Sequence, residues 1–232
     1  MGDQKITNLK YCLIVSKCIY LTINIYTLKE WFMYKLYEKK ILDLAKQQGV
    51  LRPRDLTPYE IPRVYLGRLV ADGLLRRVGR GLYIGADADP TEHHSLAEAC
   101  KRVPHGIICL LSALQFHDLT TQLTYEIWMT ISQTARLPKV DQPAIRFHRF
   151  SGPALIEGVE EYRIEGVLVK VYNPAKTVAD CFKYRNKIGL DVAIEALKDC
   201  LYQRKATPSE LWDYAKVCRM TNVMKPYVEA MQ

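Results

Sequence analysis

Seven arginines, Arg52, Arg54, Arg63, Arg68, Arg76, Arg77 and Arg80, fall in the stretch Val50–Ile84, while no lysine occurs between Lys46 and Lys101. A guanidinium is a planar fork of five donors, matched to phosphate oxygens and base edges in a way that a point-charge ammonium is not. Such chemistry needs a rigid element to aim it. Pro62 suits the first turn of a helix and Gly73 its end, so the spacing predicts a helix from Pro62 to Asp72. At about 100° per residue, Leu66, Leu69 and Val70 fall on one side and Val64, Gly67, Arg68 and Ala71 on the other, with Arg63 and Tyr65 on the flanks. A face of small residues with arginines at its margins can lie close to the floor of a major groove, where arginine to guanine is the commonest specific contact. The same face, taken alone, is compatible with plain solvation. The residues that follow tip the balance: Leu74–Val78 and Leu82–Ile84 read as strands joined at Gly79-Arg80-Gly81, with Arg80 at the tip and Arg76 and Arg77 behind it. Short helix, turn, helix and hairpin form the outline of a winged helix-turn-helix. The expected partner is double-stranded DNA, with Arg63 and Arg68 reading bases and Arg76, Arg77 and Arg80 clamping the backbone. Arg52, Arg54 and Tyr65 complete the expected DNA-binding set.

The other residue types that could do chemistry carry weaker signals. Gly79, Gly81 and Gly85 are spaced G-x-G-x-x-x-G and sit between two strands, so the dinucleotide fingerprint fails on context. The cysteines (Cys12, Cys18, Cys100, Cys109, Cys181, Cys200 and Cys218) are odd in number and contain no CxxC, which supports neither a disulfide framework nor a metal knuckle. Free thiols in a reducing cytoplasm are the expected state. His93 and His94 are adjacent and on a helix would point in different directions. No metal and no cofactor is expected. A nuclease would need clustered carboxylates beside a lysine. Glu157, Glu160, Glu161 and Glu165 precede Lys170, but no E-x-K pair occurs on the Lys170 strand, so an enzyme is not expected.

A second basic group, Lys170, Lys176, Lys183, Arg185 and Lys187 against the single acid Asp180, lies far downstream. The ordinary meaning of such a run is a solvated helix face. The sharper expectation is that Lys176, Lys183 and Lys187 form a basic face for nucleic acid or a partner's substrate, with Asp180 as an alternative internal ion-pair partner.

The formal net charge is +8, which favours polyanionic partners without specifying a fold. Residues 33–88 hold eleven Lys/Arg against six Asp/Glu, whereas residues 89–232 hold eighteen against seventeen. The excess is therefore concentrated in the arginine-bearing segment. Three regions are expected: an extension 1–32, a DNA-binding domain 33–88 and an α+β domain 89–232. The run 11–28 is the most apolar, but Lys17 interrupts it, so neither a spanning helix nor a clean leader is expected, and no membrane role. The regular pattern begins at Met33, which makes a start there an expectation of its own.

Within residues 33–88, one helix should carry Leu36, Ile41, Leu44 and Ala45 inward and stop at Gly49, and a short one should follow near Arg54–Tyr59. Downstream, a helix capped by Asp89 or Thr91 is expected to run to about Arg102, and HGIICLLSALQFHDLT reads as a buried helix. Strands are expected at Tyr125–Ile131, Ala144–Phe150 and Gly166–Tyr172. Helices should then run from Asn173-Pro174 to about Asn186, over Asp191–Gln203, over Pro208–Arg219 capped by Thr207, and over Asn222–Met231 capped by Asn222. The fold class expected is α+β.

The string IPRVYLGRLVADGLLRRVGRGLYIG resembles the N-terminal winged helix of the AbiEi-like antitoxin family, the regulator component of type IV toxin–antitoxin and abortive-infection loci. LLSALQFHDLT and VYNPAKTVADCFKYRNKIGLDVAIEAL resemble that family's C-terminal domain. The resemblance covers about Met33 to Leu201. It implies an N-terminal domain that binds inverted repeats in its own promoter as a repressor, a C-terminal domain that supports antitoxicity, and a functionally paired nucleotidyltransferase toxin. Two alternatives stay open: a stand-alone winged-helix transcription factor with an effector domain, and a DNA-binding nuclease.

Overall fold

A computed structural model describes residues 30–88 and 91–231. The apolar run 11–28 lies outside the described residues, and of the expected extension 1–32 the described part, residues 30–32, is helical. Helix α1 (30–48) thus already runs through Met33. The described residues divide into two compact units, residues 30–47 with 51–87 and residues 48–50 with 88 and 91–231.

In the first unit α1 buries Ile41, Leu44 and Ala45, which recur at helical spacing. Leu36 was expected beside them but is 52% exposed. Toward that end of α1 the tyrosines turn to the core instead, Tyr37 lying 4.9 Å from the Tyr65 ring and Tyr34 6.0 Å from it. A 3₁₀ helix, Pro53–Tyr59, follows and buries Leu56. It opens where the Arg52 backbone N–H donates to Asp55 Oδ2 at 2.8 Å and closes on Glu60 in the left-handed region. Helix α2 spans Val64–Ala71, and Gly73, at φ 72°, ends it as a C-terminal glycine does. Strands β1 (Leu75–Gly79) and β2 (Leu82–Gly85) pair antiparallel, Arg77 opposite Tyr83 and Gly79 opposite Leu82. Gly81, at φ 71°, makes the turn that a residue with a Cβ rarely makes. Ile41, Leu44, Leu51, Leu56, Leu66, Leu69 and Leu75 close over one another as the core of this unit.

The second unit is built on a mixed sheet of order β5-β4-β3-β7-β6. Its strands are β3 (Ile107–Ile108), β4 (Ile127–Ser132), β5 (Ile145–Phe150), β6 (Val159–Ile164) and β7 (Val167–Tyr172). The β4–β5 and β3–β7 pairs are parallel, and β3–β4 and β6–β7 are antiparallel. Its helices are α3 (His94–Arg102), α4 (Leu110–Phe116), α5 (Pro153–Ile156), α6 (Pro174–Lys183), α7 (Arg185–Ile188), α8 (Leu190–Tyr202), α9 (Pro208–Cys218) and α10 (Thr221–Ala230). Helix α6 packs against α4, α8, α9 and α10 and is buried at eight of its ten residues. The protein is α+β.

Several elements differ from expectation for local physical reasons. HGIICLLSALQFHDLT is not one helix: Ile107–Ile108, a β-branched pair, completes the sheet between β4 and β7, and α4 starts only at Leu110. Strand β6 was not expected, because Glu160, Glu161 and Arg163 hide its alternation. Charges of that kind suit the edge position it occupies. The helix after Asn173 is broken at Tyr184 into α6 and α7. Asn173 does cap α6, its Oδ1 accepting from the Lys176 N–H at 2.8 Å, and Thr207 caps α9 in a reciprocal box with Glu210. Met220 rather than Asn222 holds the cap position of α10, and His93 rather than Thr91 that of α3. Asp89 lies outside the described residues.

Candidate nucleic-acid interface

Helix α2 is two-faced. Leu66 and Leu69 are buried, while Arg63, Val64, Gly67, Arg68 and Ala71 are exposed. A Cβ on Gly67 would meet nothing within 4 Å, so packing does not require glycine there. What the glycine does provide is a flat strip in the middle of the outward face. Gly67→Ala is therefore expected to raise thermal stability by about 0.5–1 kcal/mol through helix propensity, yet to weaken DNA binding. Stabilisation with unchanged DNA affinity would show that the strip has no role as a contact surface.

The arginines are not equivalent. The Arg68 guanidinium lies 5.2 Å from the Tyr65 ring centroid, and Tyr65 itself is half-buried against Tyr34 and Tyr37. Tyr65 therefore serves as a platform that orients Arg68. The Tyr34 hydroxyl donates to Asp72 and its phenol is pushed up to about 12, chiefly by that bond, which ties α1 to the end of α2. Arg63, Arg54, Arg76 and Arg80 are exposed. Arg77 is exposed too, with Nε donating to the Gly79 carbonyl at 3.2 Å beside the hairpin turn. Arg52 is half-buried, its Nε 4.0 Å from Asp55, and burial lowers its pKa. It is turned toward the start of the 3₁₀ helix.

The second basic group does not form one surface. Lys176 and Asp180 are each 0% exposed and their Nζ and Oδ2 are 2.5 Å apart. Lys176 is therefore removed from the expected basic face: α6 is buried nearly all round, and its one-turn spacing to Asp180 makes an internal pair. The ammonium lies 4.2 Å from the Tyr172 ring centroid and 5.1 Å from that of Phe150. Burial raises the pKa of Asp180, against the opposing charge and hydrogen bond of Lys176, and Cys218 Sγ donates to Oδ1 at 3.2 Å. Lys170 lies on β7 facing Glu161 across the ladder at 3.5 Å, and among the described residues no three His, Cys, Asp or Glu side chains group so as to hold a metal ion. Glu165, one of the carboxylates considered for a nuclease, accepts from Thr91 and approaches His94 Nδ1 at 2.7 Å. Arg185 is half-buried, donating to the Phe182 carbonyl at 2.9 Å. Lys183 and Lys187 remain exposed. Lys187 and Arg146 flank His148, whose imidazole is buried, stacked on Trp128 at 4.9 Å and held down to about 4 by burial first and those two cations next. The five described cysteines, Cys100, Cys109, Cys181, Cys200 and Cys218, are buried free thiols, and burial raises the pKa of each. Among the described residues no helix is long and apolar enough to cross a membrane.

An arginine-bearing face of α2 and a hairpin with Arg80 at its turn thus lie within one short segment of the chain. Residues 39–84 match the family model described as "Transcriptional regulator, AbiEi antitoxin". This matched segment, which contains α2 and all but the last residue of the hairpin, is similar to the AbiEi antitoxin transcriptional regulators. A comparison with curated proteins finds no match.

Proposed function

We propose that this chain is the DNA-binding antitoxin of a type IV toxin–antitoxin system, repressing its own operon and opposing a nucleotidyltransferase toxin in the cytoplasm. In this reading residues 33–88 are a winged helix-turn-helix that binds inverted repeats in the promoter, and residues 89–232 are the antitoxin domain. The observation that carries it is α2, which buries Leu66 and Leu69 and turns Arg63, Gly67 and Arg68 outward within the segment matched by the regulator family. Arg63 and Arg68 read bases. Arg54, Arg76, Arg77 and Arg80 hold phosphates, and Arg52 and Tyr65 support the helix that does the reading. The downstream resemblance of LLSALQFHDLT and VYNPAKTVADCFKYRNKIGLDVAIEAL supports the antitoxin half.

Fluorescence anisotropy on the chain's own promoter tests the DNA half. Arg68→Ala is expected to cost about 1–3 kcal/mol on the operator and far less on unrelated DNA. Arg80→Ala should weaken binding to both and reduce the salt-dependence slope by about one unit. Unchanged promoter affinity in both variants would overturn the docking mode. Co-expression with an adjacent nucleotidyltransferase gene tests the other half: growth rescue supports it, and the lack of such a neighbour favours the stand-alone regulator.

A further inference from the structure

The second unit holds an open cavity of about 670 Å³ that the DNA-binding reading does not use. It lies where the entry to α5, the last residue of α6 and the last turn of α9 converge. Three cations line it, Lys183, Lys216 and Arg219, against one carboxylate, Glu157. Lys216 is 3.1 Å from Asp213, but both side chains are about two-thirds exposed, so the pair is worth little and exchanges readily.

Lys183 and Lys216 each stand in the last turn of a helix, where a cation complements the helix dipole. That accounts for each lysine separately, but not for two helices ending on one cavity. Arg219, which caps α9 at φ 59°, brings a third cation to the same cavity. Cys218, on the cavity wall, donates to Asp180, which pairs with buried Lys176. Pro153, Val217 and Met220 supply apolar wall, and Ser151 supplies a hydroxyl.

We propose that this cavity binds a phosphorylated small molecule of nucleotide size. Its phosphates would face Lys183, Lys216 and Arg219, its sugar or base would lie on the apolar wall, and Glu157 would accept from a hydroxyl or amino group. The volume lies within the range of about 300–1,000 Å³ typical of small-molecule sites and exceeds what inorganic phosphate needs.

Calorimetric titration of the full chain with the four ribonucleoside triphosphates in turn, and with adenosine, tests this. At least one triphosphate is expected to bind at one site, while adenosine gives no heat. The Lys183→Ala/Arg219→Ala variant should bind it at least about tenfold more weakly, having lost charge-assisted contacts to phosphate. Arg63→Ala/Arg68→Ala/Arg80→Ala should bind it as the unaltered chain does, which separates this site from the DNA-facing arginines. Amide shifts confined to residues 151–157, to Lys183 and its neighbours, and to 216–220 on titration provide a readout that does not depend on any variant folding. The proposal is overturned if no triphosphate binds, if the Lys183/Arg219 variant binds normally, or if a short single-stranded oligonucleotide occupies these residues while mononucleotides do not. Promoter binding, measured separately, stands or falls independently.

Discussion

Replacing Lys176 by methionine is expected to destabilise the protein by about 3–5 kcal/mol, the cost of leaving one member of a buried ion pair without its counter-charge. Lys176 and Asp180 have no solvent exposure and sit 2.5 Å apart, so the orphaned carboxylate would retain only the Cys218 thiol as a donor. Burial already raises the Asp180 pKa, and removing the ammonium should raise it further. A carboxyl whose folded-state pKa exceeds its unfolded value is least costly below the unfolded pKa and becomes costly as pH rises through the folded one. The deficit of Lys176→Met should therefore shrink as pH falls, which urea unfolding at several pH values will show. The double variant Lys176→Met/Asp180→Leu removes both charges and should recover most of the loss, because a well-packed apolar pair replaces a buried ionic one at little net cost. A single variant as stable as the unaltered chain at neutral pH would mean that the pair is not sequestered as described.

The contrast between Lys176 and Leu69 shows what could be read from the sequence and what could not. The two faces of α2 follow from spacing because that helix is amphipathic: Leu66 and Leu69 go in, and Arg63, Gly67 and Arg68 stay out. In helix α6 the spacing likewise predicts that Val178, Ala179 and Phe182 face inward, and all three are buried, but it does not show that the polar side is buried too. The helix is buried on nearly every side, so a lysine and an aspartate one turn apart look like a surface pair until α4, α8, α9 and α10 are packed around them. Strand β6 was hidden by the charges that protect an edge. The basic cavity draws Lys183, Lys216 and Arg219 from separate parts of the chain, and no local pattern links the first to the other two.

Leu69→Ala is expected to cost about 2–5 kcal/mol, the range for emptying a fully buried leucine site. Leu69 has no exposed surface and shares one small core with Ile41, Leu44, Leu56, Leu66 and Leu75. Small cores rarely supply more than about 3–5 kcal/mol in all, so much of the first unit would be unfolded at ambient temperature. Apparent DNA affinity then falls in proportion to the folded fraction, although Leu69 faces away from the arginine surface. The loss differs in kind from that of Arg68→Ala. An osmolyte such as trimethylamine oxide, excluded from the protein surface, favours the compact state and should restore operator binding to Leu69→Ala. It should leave the deficit of Arg68→Ala, whose missing guanidinium no refolding replaces. Operator affinity measured with and without the osmolyte, alongside circular dichroism, separates the two. If Leu69→Ala stays fully folded and still loses operator binding that the osmolyte does not return, then Leu69 lies on the reading face and the orientation of α2 given above is wrong.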